Sequence, residues 1–80
     1  MGKLSNSEYE FCMHKKGLSG SFTESLIQTM YKADTENLHL LGKGYPGLAE
    51  VVIRYRSEKG YWKDVVNRWN EENPHSPLTA

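Results

Sequence analysis

Apolar residues recur along this chain at helical spacing, three and four positions apart, and not in strict alternation. Ser7-Glu8-Tyr9-Glu10 carries the S-x-x-E spacing of a capping box, in which a hydroxyl and a carboxylate satisfy free backbone N–H groups reciprocally. Tyr9, Cys12 and Met13 follow at i, i+3 and i+4 and predict one face of a short helix, with Phe11 pointing elsewhere. Lys15 and Lys16 suit the negative end of its dipole, and Gly17 supplies a stop.

A second S-x-x-E, Ser21 to Glu24, opens a wide apolar stripe of Phe22, Leu26, Ile27, Met30 and Tyr31. Asp34 suits the cap of a further short helix, Thr35 to Leu41, with Leu38 and Leu41 inward. One helix over residues 22–41 fits the same residues, since neither Gly nor Pro interrupts them. The segment Gly42-Lys43-Gly44-Tyr45-Pro46-Gly47 reads as the clearest break, with Pro46 in the first turn of the next helix.

Leu48, Val51, Val52 and Tyr55 continue the helical period, and that period outweighs the strand alternative raised by Val51-Val52-Ile53. Glu50, Arg54 and Glu58 form successive i, i+4 charge pairs. After the tight connection Ser57-Glu58-Lys59-Gly60, a last stripe comprises Tyr61, Trp62, Val65, Val66 and Trp69, with Asp64 and Arg68 paired on the opposite side. Asn73-Pro74 ends it. The expectation is an all-α fold, a small bundle of four to five short helices closing in a helical hairpin about Gly60. Residues 7–72 form its single domain, between a disordered start (1–6) and a flexible tail (73–80).

Composition narrows this picture. A chain of 80 residues supports one modest core. Its aromatic content of 11% and zero formal charge argue for a folded chain. The single cysteine, Cys12, has no intramolecular disulfide partner. No apolar run approaches roughly 18 residues, so neither a signal peptide nor a membrane span is expected, and the default location is cytoplasmic. Charge is balanced overall but not locally. Over residues 42–70, Lys43, Arg54, Arg56, Lys59, Lys63 and Arg68 outnumber Glu50, Glu58 and Asp64.

Sites of chemistry are scarce. Cys12 and His14 lack the paired spacings of a structural zinc site, and Cys12 on an apolar face packs as a small hydrophobe. Glu36 and His39 have the Glu-x-x-His spacing of di-iron bundles, which need two such pairs. Lys43 between Gly42 and Gly44 does not make a phosphate loop. Ser5, Ser7 and Ser21 sit where helix caps belong, and no histidine and acid flank a nucleophile. No enzyme activity, cofactor or metal is expected.

The C-terminal pair combines basic and aromatic residues. Tyr, Trp and Arg are the types enriched at protein hot spots. Tyr45, Arg54, Arg56, Tyr61, Trp62 and Lys63 are therefore the candidate protein-binding residues. Phe11 and Ile53, off their stripes, are candidates for exposed apolar surface. The outline also matches a helix-turn-helix, which makes Lys59, Lys63, Asn67 and Arg68 candidate nucleic-acid contacts. Asp64, Glu71 and Glu72 in the same helix oppose phosphate, and the chain lacks the basic excess of most DNA binders.

Ala33-Asp34, Asn37, Lys43-Gly44-Tyr45-Pro46, Arg54-Tyr55, Glu58, Gly60-Tyr61-Trp62 and Asp64 together form a phrase. It resembles one in small uncharacterised helical proteins of bacteriophages and bacterial mobile elements, akin to KGFPE…VRRYQNEPGYWEDL. The resemblance spans about residues 20–69, and departs at Gly47, where an acid is common, and at Lys59, where proline is common. It implies origin and size class and brings no established activity; short phage-borne proteins often bind and modify a host factor, and such a protein acts in the host cytoplasm. The expected function is protein binding, to a host factor or to a second copy as a homodimer. Nucleic-acid binding is the alternative, and no membrane partner is expected.

Overall fold

A computed structural model describes residues 3–79, which hold five helices and no strand. They are α1 (Asn6–Lys15), α2 (Ser21–Lys32), α3 (Thr35–Gly44), α4 (Pro46–Ser57) and α5 (Tyr61–Glu72). The all-α bundle matches the hydrophobic period, including the helix over Val51-Val52-Ile53, where Val51 and Val52 are buried and Ile53 faces outward.

α1 is capped two residues earlier than Ser7 and Glu10 suggest. Ser5 Oγ accepts the Glu8 N–H at 3.0 Å, and Glu8 Oε1 accepts the Ser5 N–H at 3.0 Å. The chain holds two overlapping S-x-x-E frames, and the earlier one turns Phe11 and Cys12 into the core while leaving Tyr9 exposed. The expected face of α1 is therefore corrected: Phe11 is wholly buried. Its ring lies 5.1 Å from that of Tyr55, 5.6 Å from Trp62 and 6.2 Å from Tyr31, centroid to centroid.

α2 also departs from its predicted start. Gly20 occupies the cap position without a side-chain bond, and Ser21 begins the first turn. Glu24 turns instead toward α1. Leu26, Ile27 and Met30 are buried, but Phe22 is 64% exposed and rests against the Tyr45 ring at 6.0 Å. The region 22–41 is two helices, because Ala33 and Asp34 are both extended, and Asp34 Oδ1 accepts the Asn37 N–H at 2.8 Å to start α3. α3 then runs through both glycines to Gly44, so the break narrows to Tyr45, with Pro46 opening α4. Gly60, at φ 87°, adopts the left-handed conformation that turns α4 into α5.

α4 is the axis of the bundle and packs against each of the other four helices, whereas α3 packs principally on α4 alone. The segments flanking α1 and α5 pack back on the bundle at Leu4 and from Ser76 to Leu78. The Trp69 indole N–H donates to the Ser76 carbonyl at 2.7 Å, and Asn70 exchanges bonds with the Leu78 backbone at 2.8 and 3.0 Å. Leu4 and Leu78 pack against the core, and the Leu4 N–H donates to Glu72. The expected flexible tail from residue 73 is thus tied to α5 through residue 78. Within the start expected at 1–6, Ser5 caps α1 and Asn6 opens it. Residues 1, 2 and 80 lie outside the described residues.

One close approach fixes how α1 lies on α4. A Cβ added at Gly47 would overlap Ser7 Oγ and come within 3.1 Å of Ser7 Cβ. Gly47→Ala is expected to destabilise by about 1–2 kcal/mol, a small overpacking cost. Ser7→Gly in the same chain is expected to recover part of that loss in urea unfolding. A Gly47→Ala variant as stable as the parent would show that Ser7 gives way to the added methyl at no net cost.

Candidate functional site

The six candidate protein-binding residues do not share one face. Tyr61 is core: it is 4% exposed, and its hydroxyl donates to Glu8 Oε2 at 2.7 Å. The Arg54 guanidinium lies over the Tyr61 ring, 4.1 Å from its centroid, and donates to both Glu58 oxygens at 2.8 and 2.9 Å. That bidentate pair pushes the Arg54 guanidinium further up from its ordinary basicity. Trp62 is half-buried, edge-on to Phe11 and Tyr55. Lys63 is exposed on α5, and Tyr45 stands at the α3–α4 junction beside Phe22. Arg56 is exposed, with a 3.3 Å bond to the Ala33 carbonyl.

Of the nucleic-acid candidates, Lys59, Lys63 and Asn67 are exposed, but Arg68 is engaged within the fold. Its guanidinium donates to both Glu8 oxygens at 3.0 Å and to Asp64 at 3.0 Å, and its side chain is 14% exposed. Burial alone would raise the Glu8 carboxyl; bonds from Arg68, the Ser5 N–H and Tyr61 outweigh it and hold the group down at about 2. This is a structural ion pair that joins α1 to α5.

A second polar chain resembles a nucleophile relay. His14 Nδ1 lies 2.8 Å from Glu24 Oε1, and His14 Nε2 lies 2.9 Å from the Tyr31 hydroxyl. Ser19 and Gln28 add bonds to Glu24, whose carboxyl is held down at about 2, chiefly by His14. Burial, however, pushes the Tyr31 hydroxyl up to about 12, so it stays protonated and un-nucleophilic at neutral pH. The chain braces α1 against α2. Burial likewise pushes the Cys12 thiol up to about 12 and keeps it inert. Among the described residues no cluster of three His, Cys, Asp or Glu is placed to hold a metal, and no helix is long and apolar enough to cross a membrane.

With these groups assigned to the fold, apolar surface remains open at Leu18, at Leu40 beside α2 and along the seam between α3 and α4. Among the described residues, the seam alone combines it with several cations. Two adjoining depressions form a groove between α3 and α4. Leu38, Ala49 and Ile53 make its floor, and His39, Lys43, Arg54 and Arg56 stand along its walls with Glu50. Ile53 is 45% exposed. No family model matches this chain, and no curated protein or solved structure does. The groove must therefore be read from its own chemistry.

Its origin is local. Thr35, Leu38, His39, Gly42 and Lys43 fall on one side of α3, and Pro46, Ala49, Ile53 and Arg56 on one side of α4. The two helices meet at Gly42 and Ala49, where a Cβ on Gly42 would come to 3.2 Å from that of Ala49. Gly42, read as a helix stop, is thus a contact point inside α3. The groove takes up Arg54, Arg56 and Ile53 from the sequence candidates and adds Leu38, His39 and Lys43. The signal that finds the additions is the i, i+4 pair Leu38–Gly42 facing the i, i+4 pair Ala49–Ile53.

Proposed function

We propose that this chain is a small helical protein-binding module, of phage or mobile-element type as the resemblance over residues 20–69 implies. Its contact surface on a host or phage protein is the α3–α4 groove. The observation that carries this reading is Ile53, a large aliphatic side chain left 45% exposed between buried Leu38 and the cations of the walls. An exposed apolar strip rimmed by charge is the anatomy of a protein interface. DNA recognition draws instead on a dense basic field, and on α5 the guanidinium best placed to supply it is bonded to Glu8 and Asp64.

The test is site-specific photo-cross-linking in cells that express the protein with its natural host. A photoreactive residue at position 53 is expected to form a discrete protein adduct, and one at position 63 on α5 is not. Adducts from position 63 alone, or adducts to nucleic acid, would place the working surface on α5.

A further inference from the structure

Resting on that reading, we infer that the occupant of the α3–α4 groove is an amphipathic helix of a partner protein that carries acidic side chains beside its apolar stripe. Shape is the first argument. Both walls are helix faces with residues at i, i+3 and i+4, and α3 packs principally on α4, so the pair lacks the third helix that would cover its outer seam. A helix laid into such a seam inserts its own i, i+3 and i+4 side chains between those of the walls.

Charge is the second argument. Lys43, Arg54 and Arg56 line the groove with Glu50, and once the Arg54–Glu58 pair is set aside one positive charge remains in excess on a chain of zero formal charge. Arg54 is neutralised by Glu58. Among the described residues, Lys43 and Arg56 have no acidic partner within ion-pair distance. They stand toward opposite ends: Lys43 is near Pro46 at the joined end, and Arg56 lies ten residues along α4, about 15 Å of helix rise. A partner helix with acids about three turns apart, flanking an apolar pair that sits on Leu38 and Ile53, answers both.

The same layout disfavours other occupants. A second copy docked face to face would set Lys43 and Arg56 against the same cations of its mate. Nucleic acid would press phosphate on the apolar floor and Glu50.

Two synthetic helical peptides of about 18 residues (some five turns) test the inference. They share a Leu stripe and differ only in carrying Glu or Lys at the flanking positions. Titration into the isotopically labelled full chain is followed by amide chemical shifts. The Glu peptide is expected to shift residues 35–43 and 49–57 and to bind about tenfold more tightly than the Lys peptide, the sum of a few surface charge pairs. The exposed double variant Lys43→Glu/Arg56→Glu is expected to reverse that preference, and Ile53→Asp to abolish binding of both. Equal binding of the two peptides, or no shifts at millimolar peptide, would overturn the acidic helix. So would the same shifts produced by duplex DNA, or a concentration-dependent dimer in light scattering that Ile53→Asp dissolves. An adduct at position 53 without a Glu-peptide preference refutes the partner class while leaving the surface standing; no adduct at position 53 removes the surface itself.

Discussion

Arg68→Ala is expected to lower the unfolding free energy at neutral pH by about 3–5 kcal/mol, the cost of stranding a buried charge. The side chains of Arg68 and Glu8 are 14% and 9% exposed, and removing the guanidinium leaves Glu8 with only the Tyr61 hydroxyl and the Ser5 N–H. The pH dependence follows from the same pair. Glu8 is held at about 2 in the folded chain, below its unfolded value, so its contribution is complete above the unfolded value and is lost as pH falls through the folded one. A displacement of that size corresponds to about 3 kcal/mol, which disappears between roughly pH 5 and pH 2. Urea unfolding at pH 7 and at pH 2.5 should therefore show a large gap between parent and variant at the higher pH and a small one at the lower. Glu24, held down by His14, keeps some acid sensitivity in both proteins. Parallel loss of stability in the two would mean that Glu8 owes little to Arg68.

Phe11→Ala is the second large effect, at about 3–5 kcal/mol for an aromatic ring removed from a core. A domain of this size holds roughly 5–10 kcal/mol in all, so the variant sits at the edge of unfolding at room temperature. Phe11 touches rings from α1, α2, α4 and α5, and the space it leaves cannot close without moving all four. Phe11→Leu, which keeps most of the volume, is expected to cost about 1–2 kcal/mol. Near-ultraviolet circular dichroism and a thermal melt distinguish the two. A Phe11→Ala variant with a parental melt would contradict the central place given to this ring.

Those two residues also show where the sequence could be read and where it could not. α5 and its hairpin at Gly60 were legible because Tyr61, Val65, Val66 and Trp69 form an uninterrupted stripe after a glycine. α1 was legible as a helix but not in its orientation. Ser5–Glu8 and Ser7–Glu10 offer the same local capping, and what distinguishes the frame used is that its Glu8 meets Tyr61 and Arg68, 53 and 60 residues away. Phe11 turns inward with Glu8 in that frame. Tyr61 reads as a hot-spot residue until its hydroxyl partner is known, and that partner is 53 residues away. Phe22 fits its stripe by spacing, yet the core ends before reaching it, a matter of how α2 tilts and not of period. In the candidate site, Arg54, Arg56 and Ile53 could be chosen by type. The groove that groups them with Leu38 and Lys43 depends on the Gly42–Ala49 contact, where glycine acts inside a helix instead of ending one.

The 60-residue span between Glu8 and Arg68 also sets a timetable for synthesis. A ribosome adding about 5–20 residues per second needs several seconds to pass from one to the other. Throughout that interval, packing α1 inward would desolvate a carboxylate with no counter-charge, at a cost of several kcal/mol. Inward packing of α1 is therefore expected to gain its full stability only when residue 68 is present to meet Glu8. The contacts that complete the centre of the domain, Glu8 with Tyr61 and with Arg68, thus join its first helix to its last.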